Sequence, residues 1–267
     1  MTKQQSNYSW NAEDYAKHSS PQYEWAKELI PKLRLSGKEA LLDIGCGDGK
    51  ITAQLALNLP SGYVVGIDNS QGMIDLARRS FPQAVFPNLH FRRMNAQSLT
   101  FHDEFDRVFS NAALHWVTDQ CSVLKGVQLS LKRRGRLLLQ MGGKGNAHEV
   151  LAILDELQLE DHWKQFFRGF AFPYGFYSPE QYTVWLLEVG LTPERVELLP
   201  KDMKLAGKES LAGWIRTTWL PYTQQLPVEI KHEFIAEIVN RYVKTHPLDN
   251  AGNVHVGMVR LEVEATK

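Results

Sequence analysis

Residues 41–49 read Leu-Leu-Asp-Ile-Gly-Cys-Gly-Asp-Gly, an apolar run that stops at glycines in alternate positions, Gly45, Gly47 and Gly49. Alternate glycines let a backbone turn sharply and approach a ligand at distances that a Cβ would obstruct. In an open α/β sheet, ligands sit beyond the carboxyl ends of the strands, where such a loop would lie. A dinucleotide fingerprint would put its third glycine at Lys50; here it falls one position earlier, which weakens a nicotinamide reading. Asp68 closes the next apolar run, Tyr63 to Ile67, and its carboxylate can accept hydrogen bonds from both hydroxyls of an adenosine ribose. Glycines alone make a tight structural turn as readily as a ligand loop. With strand patterns on both sides and Asp68 at the end of the second, they read as a nucleoside site.

A second group follows the fourth strand: Asn111-Ala-Ala-Leu-His115-Trp116. The ring N–H groups of His115 and Trp116 are fixed donors able to orient a carboxylate, although residue type alone favours a core role for Trp116 and a satisfied surface role for His115. Further on, Leu211, Trp214, Ile215 and Trp219 keep helical spacing, with Arg216 at the edge of that face. Arg216 is either a solvated flank or a bidentate anchor for a second carboxylate. Two cysteines, Cys46 and Cys121, and nine scattered histidines support neither a disulfide framework nor a metal site.

The elements that position these residues alternate in type. Ser20-Pro21 opens a helix that carries Gln22. Short apolar runs at Ala40–Ile44, Tyr63–Ile67, Leu89–Arg93, Arg107–Phe109 and Arg136–Met141 are strands separated by helical patterns. This is the order of an α/β parallel sheet with right-handed crossovers. Residues 163–185 then hold ten aromatics, from Trp163 to Trp185, more than a layer of covering helices requires. Ser178-Pro-Glu-Gln181 is a capping box. Glu194–Leu199 reads as a sixth strand, residues 208–245 as mostly helical, and Val254–Val263 as a last strand with one irregularity. The expected fold is a Rossmann-like, seven-stranded, mostly parallel sheet with helical lid insertions after strands five and six. The expected division is an N-terminal lid segment (1–37), a nucleoside-binding core (38–145), and lid insertions plus the last strands (146–267).

The stretches LLDIGCGDGKIT, VVGIDNSQGMIDLAR, Asn95-Ala96 and FDRVFSNAALHWV resemble the class I methyltransferase superfamily, over about residues 38–141. The resemblance implies S-adenosylmethionine as cofactor. It places Asp43, Gly45, Cys46, Gly47 and Gly49 along the methionine and ribose, Asp68 and Asn69 at the ribose, and Asn95-Ala96 at the adenine. Asn111 would lie near the transferable methyl. Relatives often have Asp where this chain has Asn95, whose amide carbonyl can still accept from the adenine amino group. Met73 either packs on the adenine face or belongs to the helix-to-sheet core. Across most of the chain the finer likeness is to small-acid carboxyl methyltransferases, the trans-aconitate and insect juvenile hormone acid groups. It rests on Tyr15, the Ser19 to Gln22 segment, and Leu114-His-Trp with Asp119-Gln120. In that comparison Gln22 and Trp116 match a carboxylate-holding pair. Tyr15, Trp214 and Arg216 are the substrate candidates.

Methyl transfer to a carboxylate needs no general base, because a carboxylic acid is already ionised at neutral pH. Lys plus Arg (30) balance Asp plus Glu (30), which argues against a nucleic-acid partner. The polar start and the lack of a long apolar run predict a cytoplasmic protein with no membrane partner, a small-molecule acceptor, and a monomer or weak homodimer. Within enzymes the alternatives are a carrier-bound malonyl group, docked through Lys132-Arg133-Arg134, or nitrogen or carbon methylation of another metabolite. RNA or protein methylation is the alternative of another class.

Overall fold

The computed structural model describes residues 20–267, with side chains from residue 24 onward. Tyr15 and the side chain of Gln22 therefore lie outside the described region. In chain order the strands are β1 (Ala40–Ile44), β2 (Tyr63–Asp68), β3 (Leu89–Arg93), β4 (Phe105–Asn111), β5 (Leu131–Gly142), β6 (Thr192–Leu205) and β7 (Val254–Thr266). The helices are α1 (Ser20–Leu29), α2 (Lys50–Leu57), α3 (Gln71–Ser80), α4 (Gln120–Ser130), α5 (His148–Leu157), α6 (Pro179–Glu188), α7 (Gly207–Thr218), α8 (Leu220–Thr223) and α9 (Lys231–Thr245). Described residues fall into two compact units: residues 20–146, 173–201 and 258–267, and residues 147–172 and 202–257.

The strands form one seven-stranded sheet in the order β3-β2-β1-β4-β5-β7-β6. β3, β2, β1, β4 and β5 pair in parallel and β7 runs antiparallel to β5, as a mostly parallel Rossmann-like sheet requires. All five residues of β1 are buried, because a central parallel strand is covered on both faces. On one face Leu42, Ile44, Val65, Val108 and Leu139 pack under Val123 and Leu124 of α4 and Tyr182 and Leu186 of α6. On the other, Leu41, Val64, Phe109 and Leu138 meet Leu29 of α1, Leu55 of α2 and Ile74 of α3. Each such side chain contributes about 1.5–3 kcal/mol by leaving water. The strand order reverses between β1 and β4, which opens a crevice beyond their carboxyl ends.

Several strands differ from expectation; β4, for one, runs Phe105–Asn111 rather than Arg107–Phe109. β5 starts at Leu131 rather than Arg136, with a register shift opposite Phe105–Arg107 and a left-handed Arg134 (φ 65°). Backbone pairing there proceeds through charged residues that apolar patterning does not mark. β6 continues through Pro200 to Leu205, since an edge strand with half-exposed residues carries no apolar alternation. β7 keeps its register against β5 without a shift from Arg260 to Thr266. Its residues are buried on one side over Val254–Met258 and without exception over Arg260–Val263.

The aromatic run 163–185 splits between the two units. In the smaller one Trp163 meets Phe234 edge-on at 4.9 Å and donates through Nε1 to Glu237 at 2.9 Å. Trp214 lies edge-on to Trp219, with 5.7 Å between ring centroids. Among the described residues no helix is long and apolar enough to cross a membrane.

Candidate active site

The glycine loop leaves β1 through left-handed conformations at Gly45 (φ 77°), Gly47 (φ 53°) and Gly49 (φ 82°). Gly45 and Cys46 donate their backbone N–H to Ile67 O at 2.8 and 2.9 Å, pinning the loop to the end of β2. A Cβ on Gly45 would stand 2.1 Å from the Ala113 Cβ, so the loop presses directly on the segment that follows β4. A Cβ on Gly47 would meet nothing within 4 Å, so the loop's middle faces open space.

Two carboxylates flank that space. Asp43, buried on β1, accepts from Thr52 Oγ1 at 2.7 Å. Burial, reinforced by the charge of Asp68, pushes its carboxyl up to about 7 against the Thr52 hydrogen bond. Asp68 accepts backbone N–H from Gly47 (3.1 Å) and Ser70 (2.8 Å), one on each oxygen. Burial raises its pKa as well, while the backbone donors of Ser70, Gly47 and Asn69 pull it down. Each carboxylate oxygen has a further lone pair for a ligand hydroxyl. A pair of desolvated acids beside an open glycine bend suits S-adenosylmethionine, a ligand with a positive sulfonium and an ammonium group.

The remaining candidates on this side are placed as follows. Cys46 is buried, and burial with the charges of Asp68, Asp43 and Asp48 drives its thiol pKa up, so the thiol stays unionised. Asn69 is exposed and its carbonyl accepts from Arg93 Nε at 3.1 Å. Met73, buried on α3, is preceded by the Ser70 cap, whose hydroxyl accepts from Met73 N. Asn95 caps a short 3-10 turn, its Oδ1 accepting from Gln97 N at 3.0 Å, and half-buried Ala96 packs against the core. The carbonyl expected to serve only an adenine thus also holds a turn.

On the other side, β4 ends at Asn111, and Ala112 (φ 54°) turns the chain in a left-handed conformation that costs on the order of 1 kcal/mol for a residue with a Cβ. The 3-10 turn Leu114–Trp116 follows. His115 is 7% exposed, and its Nδ1 has no hydrogen-bond partner among the described residues. Its ring lies among Trp116, Tyr174 and Phe176, at 5.8, 6.2 and 5.9 Å between centroids. Burial first, and the Arg260 charge second, hold the imidazole well below its ordinary pKa. Burial thus favours the neutral imidazole, and His115 is a buried group rather than a satisfied surface one.

Several residues to which sequence reasoning gave no individual role build this wall. Gln120 Nε2 donates to Leu114 O (2.8 Å) and Val117 O (2.6 Å), while its Oε1 accepts from Tyr182 OH at 2.9 Å. Those bonds clamp the turn that carries His115. Tyr174 stacks on Phe176, and Gly175 N donates to His115 O at 2.8 Å. The aromatic density of 163–185 was the visible signal, but not which rings would face His115. Trp214 is buried in the smaller unit, where Nε1 has no hydrogen-bond partner among the described residues; Arg216 is exposed on the same helix. Lys132-Arg133-Arg134 lies at the start of β5, the end of the strand opposite the crevice, with Lys132 paired to Asp106 at 2.8 Å. That position removes it as a docking patch for this site.

Residues 35–170 match the family model described as a methyltransferase domain. A methyltransferase of Schizosaccharomyces pombe is 35% identical over 206 residues, spanning 73% of this chain and 77% of that protein. The trans-aconitate 2-methyltransferase of Variovorax paradoxus is 27% identical over 270 residues, spanning 97% and 98%. Among solved structures, a Bacillus halodurans methyltransferase superposes with a TM-score of 0.63 at 17% identity, covering 91% of this chain and 98% of its own. A glycine loop pinned to β2, acids at the ends of β1 and β2, and these matches have one consequence: the chain belongs to the methyltransferase domain family, as a class I S-adenosylmethionine-dependent enzyme.

Proposed function

We propose that the enzyme esterifies a carboxylate of a small organic acid. The carrying observation is His115: a neutral, buried imidazole with an open Nδ1, in an aromatic wall that the Gly45–Ala113 contact sets against the glycine loop. As the Nδ1–H tautomer it offers a hydrogen bond that positions a carboxylate oxygen without removing a proton. The trans-aconitate methyltransferase relatives support the same acceptor class. S-adenosylmethionine, when bound, supplies an electrophilic methyl on a sulfonium. Gly47 leaves room for it, Asp68 takes the ribose hydroxyls, and Asp43 sets a negative charge near its cationic end. Asn95-Ala96 and Met73 border the adenine. In this reading Trp116 supplies a ring N–H to the acceptor, and Gln22, in the α1 segment, is assigned as the third donor.

The test is a methyl-transfer assay on a panel of carboxylic acids, amines and carrier proteins, with mass analysis of the product. An alkali-labile methyl ester is expected, with kcat flat from roughly pH 6 to 9 at saturating substrates, since no base has to titrate. Trp116→Phe and Gln22→Ala should lower turnover while leaving cofactor affinity within about 3-fold. A product methylated on nitrogen or carbon, or normal turnover in both variants, refutes the carboxylate reading and leaves the methyltransferase assignment intact.

A further inference from the structure

A nucleoside whose ribose sits on Asp68 has one side of β2 left for its base. The glycine bend after β1 occupies one flank, and the strand order puts β3 on the other. The chain leaving β3 is tied to that place, because Met94 N donates to Asp68 O at 3.0 Å. The next residue, Asn95, is half-buried and opens the short turn Ala96–Ser98. Its Oδ1 accepts from Gln97 N at 3.0 Å, and its backbone oxygen accepts from Ser98 N at 3.0 Å. A backbone N–H can only donate, so the side-chain atom facing Gln97 is the amide oxygen and the outer atom is Nδ2. Nδ2 has no hydrogen-bond partner among the described residues. The turn has little room to relax: Leu99, which follows it, lies so close to α4 that a Cβ on Gly126 would stand 3.1 Å from the Leu99 Cβ.

We propose that Asn95 reads the purine through its amide N–H and not through its oxygen, so that a ring nitrogen of the base is recognised and the exocyclic amine is not. This rests on the nucleoside site described above and is independent of the methyl acceptor. An asparagine free at both atoms grips adenine with two bonds, its oxygen on the exocyclic amine and its N–H on the neighbouring ring nitrogen. Here the oxygen is turned into the chain's own turn, and only the donor half of that grip faces outward. Turning the amide over would set two donors against each other and leave Gln97 N–H without its bond. An aspartate at this position would keep the bond to Gln97 with one oxygen and offer the other to the amine. The asparagine offers a donor in its place, so a purine nucleoside that lacks the amine remains a full ligand.

The test is binding, measured by calorimetry, of S-adenosylhomocysteine and of its analogue with hydrogen in place of the exocyclic amine, to the wild type and to Asn95→Asp. The wild type should bind the two within about 3-fold of each other. Asn95→Asp keeps an oxygen for Gln97 N, and an unchanged melting temperature checks that the turn is intact. In that variant the amine should become worth about 10-fold or more, as expected for a hydrogen bond to a charged group. The analogue should also bind Asn95→Asp about 10-fold or more weaker than the wild type, because it loses the donor and meets a carboxylate. A purely structural role would move both ligands together, so the difference between them is the readout. Removal of the amine costing the wild type as much as it costs Asn95→Asp overturns the proposal, and so does an identical affinity of both proteins for both ligands. If Asn95→Asp does not fold, the wild type decides: a loss of more than about 10-fold without the amine overturns it. No binding of S-adenosylhomocysteine to the wild type would sink the nucleoside site itself, and none of these results bears on the carboxylate reading.

Discussion

The two sides of the crevice are built by different means. The glycine-loop side is made from contiguous sequence: Asp43 to Gly49 on one strand end and Asp68 on the next, tied by backbone N–H groups from Gly45, Cys46 and Gly47. The side proposed for the acceptor draws on side chains far apart in the chain, with His115, Tyr174 and Phe176 as neighbours and Gln120 bonded to Tyr182. A ligand common to a whole family can be held by backbone geometry, which tolerates sequence change. An acceptor that varies between relatives has to be read by side chains. The cofactor side should therefore fail through charge and backbone changes, and the acceptor side through subtler losses of positioning.

Charge on the cofactor side gives the largest expected effect. The folded-state pKa of Asp43, about 7, lies above the ordinary carboxylate value of 3.8. A raised folded pKa means that the native state binds the proton more tightly. The stabilisation is then fully present below about pH 4 and is lost as pH rises through about 7, a total on the order of 4 kcal/mol. In the ligand-free enzyme, thermal melting should fall across that window, and Asp43→Asn should flatten the curve. A cationic cofactor favours the ionised form, so binding should release a proton near neutral pH, detectable as a buffer-dependent heat in calorimetry. A melting curve independent of pH in the wild type would break this half of the comparison.

Backbone geometry comes next. Gly47→Val places a side chain where the loop faces open space, so nothing in the fold is displaced; the strain at φ 53° should cost about 1–2 kcal/mol of stability. Cofactor affinity should nevertheless fall at least about 100-fold, because the added methyls occupy the ligand's volume. Equal losses in stability and affinity would mean that Gly47 serves the turn and not the ligand.

What was legible in the chain follows the same division. Strands buried on both faces, β1 and β2 among them, stood out as apolar runs, and the loop between them carried its function in its glycine spacing. Edge β6 did not stand out beyond Leu199, because half-exposed strands lack that signal. His115 and Trp116 were visible as residue types, but burial and an unsatisfied Nδ1 are tertiary facts. Burial of Arg260 was not legible: it follows Val254, Val256 and Met258 at two-residue spacing, but a charged side chain at a strand position reads as solvent-exposed. It is covered instead by Trp25, from a helix far away in sequence.

The smallest effect expected is the most specific to the acceptor side. Tyr182 OH donates to Gln120 Oε1, and Gln120 in turn grips the carbonyls of Leu114 and Val117 on either side of His115. Tyr182→Phe removes one donor and leaves the Gln120 oxygen buried without it, which should cost about 1 kcal/mol of stability. Gln120 keeps both bonds to the turn, so His115 should shift by a fraction of an ångström and stay buried. Because methyl transfer depends on in-line alignment, that shift should lower kcat by about 3- to 10-fold. Cofactor affinity, fixed by the glycine loop, should not change. Gln120→Leu, which also frees the two carbonyls, should magnify the kcat loss in the same direction. If Tyr182→Phe instead weakens cofactor binding and leaves kcat alone, the two sides of the crevice are not built independently, because the Ala113–Gly45 contact would then be carrying the turn's displacement into the loop.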